Sequence, residues 1–479
     1  MPDLHTLSAT ELCAAYASGQ LSPVQATQAV IEQIARQEPR LNALYAYDPE
    51  AALAQARASE ARWLAGTPLS PLDGVPGTLK ENLATRGCPM PGGSAATELV
   101  PMPDDSPPAA RWREAGLVLL AKTTMPDYGM LSSGLSSFHA LARNPWDISK
   151  NPGGSSAGAG AAAAAGYGPL HVGTDIGGSV RLPAGWCGLV GLKPTRGRNP
   201  LGPDYGDMGA GLICEHVVTH TVLDSAAILD VTAGPDLGAP YYPPPPARPF
   251  AAEVGAPPGR LRIAFSTVPL TGTPVHPECK QAAHHAARQC EALGHHVEEA
   301  TPQVSAERFN EIFTTIWLGM VGWAIRDWAR RTGREPTPDQ FEAHTWKMYS
   351  YDAQRRPSDL FLAIQDMQRI ARELAPFFTR YDIWLTPTAT QPPQPLGWFD
   401  FDPAHPKQAT ERMGDIPRFT AIANMSGQPA ISLPLHWTPE GLPVGVQLIG
   451  RYGDEATLFR LAAQLEQASP WRGRVPLVS

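Results

Sequence analysis

Lysine and serine residues in three glycine-rich segments carry the functional groups that an acyl-transfer reaction needs. Lys80 follows an apolar approach, Ser155 and Ser156 form an adjacent pair, and Ser179 comes directly after two glycines. A serine hydroxyl is a poor nucleophile until a base removes its proton, and a lysine can act as that base only where burial leaves its amine neutral. These residue types predict a serine nucleophile with Lys80 as the candidate base.

The segment around Ser179 has the features of an oxyanion site. Gly177 and Gly178 permit a backbone path that other residues resist, so that successive N–H groups can converge on one position. Residues 157–165 are alanine and glycine only. A helix over these residues can pack closely and bring its N-terminal amides and its dipole near the same centre.

Taken singly, each of these residues has an ordinary structural explanation. A lysine is usually a surface residue, a serine pair is usually a helix N-cap, and a serine after two glycines is often part of a turn. The chain shows neither a phosphate-binding loop, nor the G-x-S-x-G motif of an α/β-hydrolase, nor the H-E-x-x-H motif of a zinc enzyme. The combination of the three segments therefore favours serine catalysis, and we predict no metal and no cofactor.

The same three segments resemble the amidase signature family, which combines a Ser-Ser-Lys triad with a Gly-Gly-Ser-Ser loop and a Gly-Gly-Ser-Val-Arg loop. Lys80, Ser155 and Ser179 lie 75 and 24 residues apart, as in that family. The resemblance continues through 121–128 with Met130 and Ser132, and through 143–147, 426–430 and 441–447. It is weakest over 235–380, and Glu81 stands where the family usually has aspartate. It covers nearly the whole chain.

This resemblance implies that Ser179 is the nucleophile, that Ser155 follows a cis peptide bond and relays the proton, and that Lys80 is the base. The residues implied to supply oxyanion amides with Ser179, or to contact substrate, are Ile176, Gly177, Gly178, Met130 and Ser132. The residues implied to support the loops are Ser156, Thr174, Asp175 and Arg181.

The expected fold class is α/β, a single α/β/α domain over residues 1–479 with a large mixed, twisted β-sheet flanked by helices, as the resemblance implies. Within it we expect a catalytic core at 71–200, a proline-rich surface connector at 235–258 and a variable substrate-pocket region at 309–400. Capping boxes at Ser8 and Ser22 predict two opening helices.

Other elements follow from local patterns of apolar residues and helix signals. Further helices are expected at 49–64, 277–293, 309–330 and 455–468, and strands at 118–120, 171–172, 189–192, 261–265, 383–385 and 430–435.

The composition of the chain limits which binding partners and which cellular compartment can be expected. A net charge of −8 offers no field that would attract nucleic acid or an anionic membrane. The six cysteines show no paired spacing, and the N-terminus has no secretory signal pattern, so that we expect reduced core thiols and a cytoplasmic protein. The expected partners are a small-molecule amide and water, in a monomer or homodimer.

The expected function is hydrolysis of apolar, aryl or cyclic amides, and of esters, through an acyl-enzyme. A glutaminase-type A subunit of a tRNA amidotransferase and a non-catalytic binding protein on the same fold are the alternatives. Among the aromatic residues, packing in the core is the favoured interpretation for Trp317, Trp323 and Trp328, whereas Trp398 and Phe399 lie in a loop and are the better pocket candidates.

Overall fold

One mixed β-sheet of eleven strands organises the chain in the computed structural model, which describes residues 3–241, 243–402, 404–405 and 407–476. The sheet order is β1-β3-β2-β4-β6-β5-β10-β11-β9-β7-β8. Its strands are β1 Leu44–Tyr45, β2 Pro76–Lys80, β3 Val118–Thr123, β4 Leu170–Asp175, β5 Val190–Lys193, β6 Cys214–Thr219, β7 Arg262–Phe265, β8 His296–Glu299, β9 Ile383–Pro387, β10 Ala430–Trp437 and β11 Pro443–Gly450.

Helices cover both faces of this sheet, because alternate residues of a strand point to opposite sides. Ile431 of β10 packs in a cluster with α7, α8 and α15, whereas the preceding Ala430 packs in another with α9, α11 and α14. The helices are α1 Ala9–Ala17, α2 Pro23–Leu41, α3 Pro49–Leu64, α4 Pro107–Glu114, α5 Ala157–Ala164, α6 Arg181–Cys187, α7 Val222–Thr232, α8 Pro277–Ala292, α9 Ala306–Thr332, α10 Ala343–Asp352, α11 Pro357–Leu374, α12 Phe377–Arg380, α13 Gln408–Asp415, α14 Ala421–Ser426 and α15 Glu455–Ala468. The predicted α/β class with a large mixed sheet between helices is confirmed.

The local helix signals were reliable. Both predicted capping boxes are present, with Ser8 before α1 and Ser22 before α2. The predicted helices at 49–64 and 455–468 match α3 and α15 residue for residue, and α9 extends a few residues beyond its prediction at each end. The six predicted strands are present as β3, β4, β5, β7, β9 and β10, while β2 and β6, which lie on either side of β4, were not predicted.

Part of the predicted proline-rich connector at 235–258 lies on the surface. Residues 244–249 are exposed, and the segment re-enters the core at Phe250; Tyr242, inside the predicted connector, lies outside the described residues. All six cysteines are free, and five of them are buried as expected, whereas Cys88 is half-buried. Within the described ranges, no helix is both long enough and apolar enough to span a bilayer.

Candidate active site

Lys80 is the last residue of β2, a strand that is buried along its whole length between the parallel strands β3 and β4. Its amine is fully buried and donates to three hydroxyl groups: Ser155 Oγ at 2.8 Å, Ser156 Oγ at 3.1 Å and Thr174 Oγ1 at 2.9 Å. The structure therefore brings a lysine from one strand, a serine pair from a loop and a threonine from β4 into one cluster.

Burial makes it easier for this amine to lose its proton. Removal from water lowers the pKa of Lys80 to about 7, although the nearby acidic side chains, Glu81 first and then Asp175 and Glu215, act in the opposite direction. A large fraction of the amines is thus unprotonated at neutral pH, which is the condition that a lysine base requires.

The serine pair is held by the close packing of α5. Every residue of α5 is buried, and a Cβ at Gly158 would come within 2.3 Å of the Ala43 carbonyl oxygen, so that only glycine permits this approach. The peptide bond before Ser155 is cis. Ser156, expected only to support the loop, also contacts the Lys80 amine directly, and its own hydroxyl donates to the Thr174 carbonyl at 3.2 Å.

The loop that carries Ser179 is fixed by a buried ion pair. Asp175 accepts from both the Nε and an Nη of Arg181, at 3.0 and 2.8 Å, and from the amide of Val180 at 3.1 Å. Burial opposes ionisation of Asp175, but the Arg181 guanidinium outweighs it and holds the pKa of the carboxyl well below its usual range. Asn424 of α14 donates to the same carboxylate at 2.9 Å.

This loop is joined to the lysine cluster through the main chain. The amide of Ser156 donates to the Ser179 carbonyl at 3.3 Å. Ser179 itself is buried with 6% of its surface exposed. Ser179 and the serine pair that contacts Lys80 therefore lie in adjoining loops.

One predicted oxyanion donor is occupied. The amide of Gly178 already donates to Asp175 Oδ1 at 2.7 Å, which differs from the expectation that it points at substrate. Among the described residues, no acceptor is bonded to the amides of Ile176, Gly177 or Ser179. The Gly178 amide is bonded to the Asp175 side chain. The amides of Ile176, Gly177 and Ser179 are therefore the ones in this turn that are left to donate to a ligand.

Gly178 has a different, conformational role. Its φ of +137° lies in the region that favours glycine, and a Cβ there would meet Thr420 Oγ1 at 2.4 Å. The Thr420 hydroxyl in turn donates to the Gly177 carbonyl at 2.5 Å. Thr420 therefore packs against the turn and fixes the direction of the peptide that precedes Gly178.

The predicted substrate contacts Met130 and Ser132 are both buried. They follow Gly129, where a Cβ would lie 3.1 Å from Ser155 Oγ, so that this segment passes beside the serine pair. The Met130 side chain packs with residues of α9 such as Leu318. Contact of Met130 and Ser132 with substrate stays a prediction.

Aromatic residues of α9 lie over the Ser179 loop. A Cβ at Gly177 would be 3.0 Å from the Phe313 ring and 3.9 Å from Trp317. The two rings stack with centroids 5.1 Å apart, and both are only partly buried. Trp317 also packs against two core clusters, as the sequence favoured, and it lies beside the Ser179 loop as well.

The loop aromatics behave differently from the expectation. Phe399 is 1% exposed and packs in the core with Leu182 and Trp186, so that it is not a pocket residue. Trp398 is half-buried, with the Arg412 guanidinium 3.9 Å from its ring centroid. Within α9, Trp328 is a core residue as expected, whereas Trp323 is 48% exposed.

Several residues of the site were not found from the sequence. Thr420 and Asn424 lie more than 200 residues from the loop that they brace, and Phe313 and Gly129 occur in no recognised motif. The only local signal was the segment that begins at Ser426, the last residue of the helix that carries Asn424. Such contacts depend on which elements pack together and leave no pattern in the contiguous sequence.

Known proteins match this chain over almost its whole length. The family model described as Amidase matches residues 25–459. A putative amidase of Synechocystis sp. is 34% identical over 476 residues, covering 98% of this chain and 89% of that protein. The solved structure of 6-aminohexanoate cyclic dimer hydrolase has a TM-score of 0.91 at 31% identity, with 99% of both chains covered.

A bacterial aryl acylamidase of the amidase signature enzymes is also similar, with a TM-score of 0.88 at 26% identity over 98% of both chains. The solved structures agree with the architecture described above. The chain therefore belongs to the amidase family, whose members are hydrolases that act on amide bonds.

Proposed function

We propose that the chain is a serine amidase in which Ser179 attacks the substrate carbonyl, Ser155 relays the proton and neutral Lys80 is the base. The observation that carries this proposal is the fully buried Lys80 amine, which lies 2.8 Å from Ser155 Oγ with a pKa lowered to about 7 by burial. A buried amine among hydroxyl groups is suited to accept a proton from one of them.

The reaction begins with the substrate carbonyl oxygen at the free amides of Ile176, Gly177 and Ser179. Ser179 Oγ forms a bond to the carbonyl carbon while its proton passes through the Ser155 hydroxyl to the Lys80 amine. The negative oxygen of the tetrahedral intermediate accepts hydrogen bonds from the three amides, which are already fixed by the Asp175 brace. The leaving amine receives the proton back along the same path.

The second half of the reaction removes the acyl group from Ser179. Water attacks the acyl carbon, and the Lys80 amine again takes the proton through Ser155. The carboxylic acid product then leaves and the Ser179 hydroxyl is restored.

We further propose apolar, aryl or cyclic amides, and esters of similar shape, as substrates. The stacked Phe313 and Trp317 rings above Gly177 supply an aromatic wall beside the reacting carbonyl. Aromatic faces favour flat or apolar groups over charged ones. The relatives named as a cyclic dimer hydrolase and an aryl acylamidase support the same class.

The test is a panel of p-nitroanilides, simple amides and cyclic amides assayed with wild type and with Ser179→Ala. The variant should retain the fold and lose about 10⁴-fold or more in kcat/KM. Ser70→Ala is the matched control, because Ser70 lies in the turn before β2, at the end of that strand opposite Lys80. Turnover of Ser179→Ala close to that of the control would overturn the proposal.

A further inference from the structure

A second ionisable residue stands directly beside the candidate base. Glu81 follows Lys80 in the chain, is fully buried and is fixed at the end of β2 by its amide, which donates to the Thr123 carbonyl at 3.1 Å. Its Oε2 forms a short hydrogen bond with Nε2 of His139, a side chain that is itself almost completely buried. The mechanism above makes no use of either residue.

His139 is the sole support of this carboxylate among the described residues. Glu81 Oε1 is buried and has no hydrogen-bond partner in the described part of the chain. A buried carboxylate is costly unless it is hydrogen-bonded or paired, and the His139 N–H is the donor that the described structure gives to this one. His139 is in turn held by its amide, which donates to Ser136 Oγ at 2.9 Å, and by the rings of Tyr45 and Phe138.

Three carboxyl groups interact electrostatically with Lys80, and two of them are paired or protonated. Asp175 of β4 is paired with the Arg181 guanidinium at 2.8 Å. Burial raises the pKa of Glu215 of β6 to about 8, which leaves this carboxyl protonated at neutral pH. Glu81 is therefore the carboxylate whose charge acts most directly on the Lys80 amine, and it opposes the effect of burial on the pKa of that amine.

Other titratable groups interact with Glu81 without binding its carboxylate. Lys122 of β3 and Asp127 of the following loop interact with Glu81 electrostatically, as does the Tyr45 hydroxyl. Burial lowers the pKa of Lys122 to about 7 and raises that of Asp127 to about 6. Neither makes a hydrogen bond to the Glu81 carboxylate in the described structure, so that His139 remains its partner.

We propose that Glu81 and His139 form a positioning pair, in which the His139 N–H keeps a negative charge on Glu81 and that charge sets the pH at which Lys80 gives up its proton. The inference rests on the proposed function, in which only unprotonated Lys80 is active. It makes Glu81 and His139 determinants of the working pH range, without contact to the substrate.

The test measures the rate of inactivation by phenylmethylsulfonyl fluoride from about pH 5 to about pH 10, which needs no knowledge of the natural substrate. In wild type the rate should rise with pH as Lys80 loses its proton. Glu81→Gln keeps the shape of the side chain and removes its charge, so that the rise should move to lower pH by about one unit. An unmoved profile in Glu81→Gln would overturn the inference.

Three further variants separate the charge from the packing. His139→Phe keeps the aromatic packing and removes the donor to Glu81, so that the profile should move in the same direction as in Glu81→Gln. His139→Gln retains an N–H donor and should lie closer to wild type. The double variant Glu81→Gln, His139→Phe should shift no further than Glu81→Gln alone, because His139 acts through Glu81.

Additive shifts in the double variant, or a shift of His139→Phe to higher pH, would contradict the inference. The matched control is His436→Gln, because His436 forms a similar pair with Glu278 at 2.7 Å on β10 and α8, outside the Lys80 cluster. A wild-type profile without any rise that depends on Lys80 would instead contradict the proposed function. The two failures are therefore distinguishable.

Discussion

Lys80 and Lys122 lie on the neighbouring strands β2 and β3, and both are buried. Burial lowers the pKa of each amine to about 7. Only the groups around the two amines differ. Burial thus lowers the pKa of a lysine. The neighbouring groups determine whether the neutral amine can accept a proton from a nucleophile.

The Lys80 amine donates to the hydroxyl groups of Ser155, Ser156 and Thr174, whereas the Lys122 amine donates to one carbonyl and one hydroxyl group in the turn after β2. Lys122 donates to the Leu83 carbonyl and to Thr85 Oγ1, both at 2.5 Å, and the Thr85 hydroxyl itself donates back to Leu83. These bonds tie the turn after β2 to β3. We therefore interpret Lys122 as a structural residue and Lys80 as the base.

The largest expected effect separates the two lysines by activity. Lys80→Met should lower kcat/KM at neutral pH by about 10⁴-fold, because the general base is lost. Lys122→Met should leave kcat/KM per folded molecule within a few-fold of wild type. Steady-state kinetics on a p-nitroanilide distinguishes the two variants, with the folded fraction measured by circular dichroism. Equal losses of kcat/KM in both variants would show that the two lysines do not differ in function.

The two lysines should contribute equally to the pH dependence of the free energy of unfolding. Each amine has a folded-state pKa of about 7 against an ordinary value of 10.5, so that the unfolded chain binds more protons between these values. The free energy of unfolding therefore rises with pH in this window, by about 1.4 kcal/mol per pH unit for each lysine. Below about pH 7 both states are protonated and this contribution to the slope disappears.

Denaturant titrations at several pH values check this expectation. Lys80→Met and Lys122→Met should each reduce the slope between pH 7 and pH 10.5 by the equivalent of about one proton. The slope difference from wild type removes the contribution of other groups that titrate there. An unchanged slope in either variant would mean that the amine is charged in the folded protein.

Lys122→Met should also lower stability at neutral pH, since it removes the donor to Thr85 Oγ1 and leaves the Leu83 carbonyl with only the Thr85 hydroxyl as a donor. The expected loss is about 1–3 kcal/mol in the free energy of unfolding. Chemical denaturation monitored by tryptophan fluorescence measures it. A variant as stable as wild type would show that these short hydrogen bonds contribute nothing net.

The smallest expected effects come from the two threonines that contact the lysines. Thr174→Val removes one acceptor of the Lys80 amine and should lower kcat/KM by about 10-fold. Thr85→Val removes an acceptor of Lys122 and should cost about 1 kcal/mol of stability with little change in kcat/KM. Parallel kinetics and denaturation of the pair test whether the two hydroxyls differ as their lysines do.

Local sequence signals predicted the caps of the first helices correctly and singled out the candidate reacting residues. Gly177, Gly178 and Ser179 are contiguous, and the capping boxes at Ser8 and Ser22 need only four residues each. Such features are determined by the backbone within a few residues, so that they can be recognised without knowledge of the fold.

Contacts across the sheet were not predictable in this way. The Glu81 and His139 pair joins residues 58 apart, and Asn424 reaches Asp175 across 249 positions. The interpretation of Phe399 as a pocket candidate was wrong for the same reason. This loop residue becomes a core residue only because Leu182 and Trp186 pack against it. These features depend on the order of strands and helices, which no local pattern of apolar residues specifies.

The most direct test of the account is the covalent labelling of the nucleophile. Wild type, Lys80→Met and Lys122→Met are treated with a fluorophosphonate at neutral pH, and the adduct is located by peptide mass spectrometry. The account predicts one adduct, on Ser179, formed at similar rates in wild type and Lys122→Met and strongly slowed in Lys80→Met. An adduct on another residue, or equal rates in all three proteins, would contradict it.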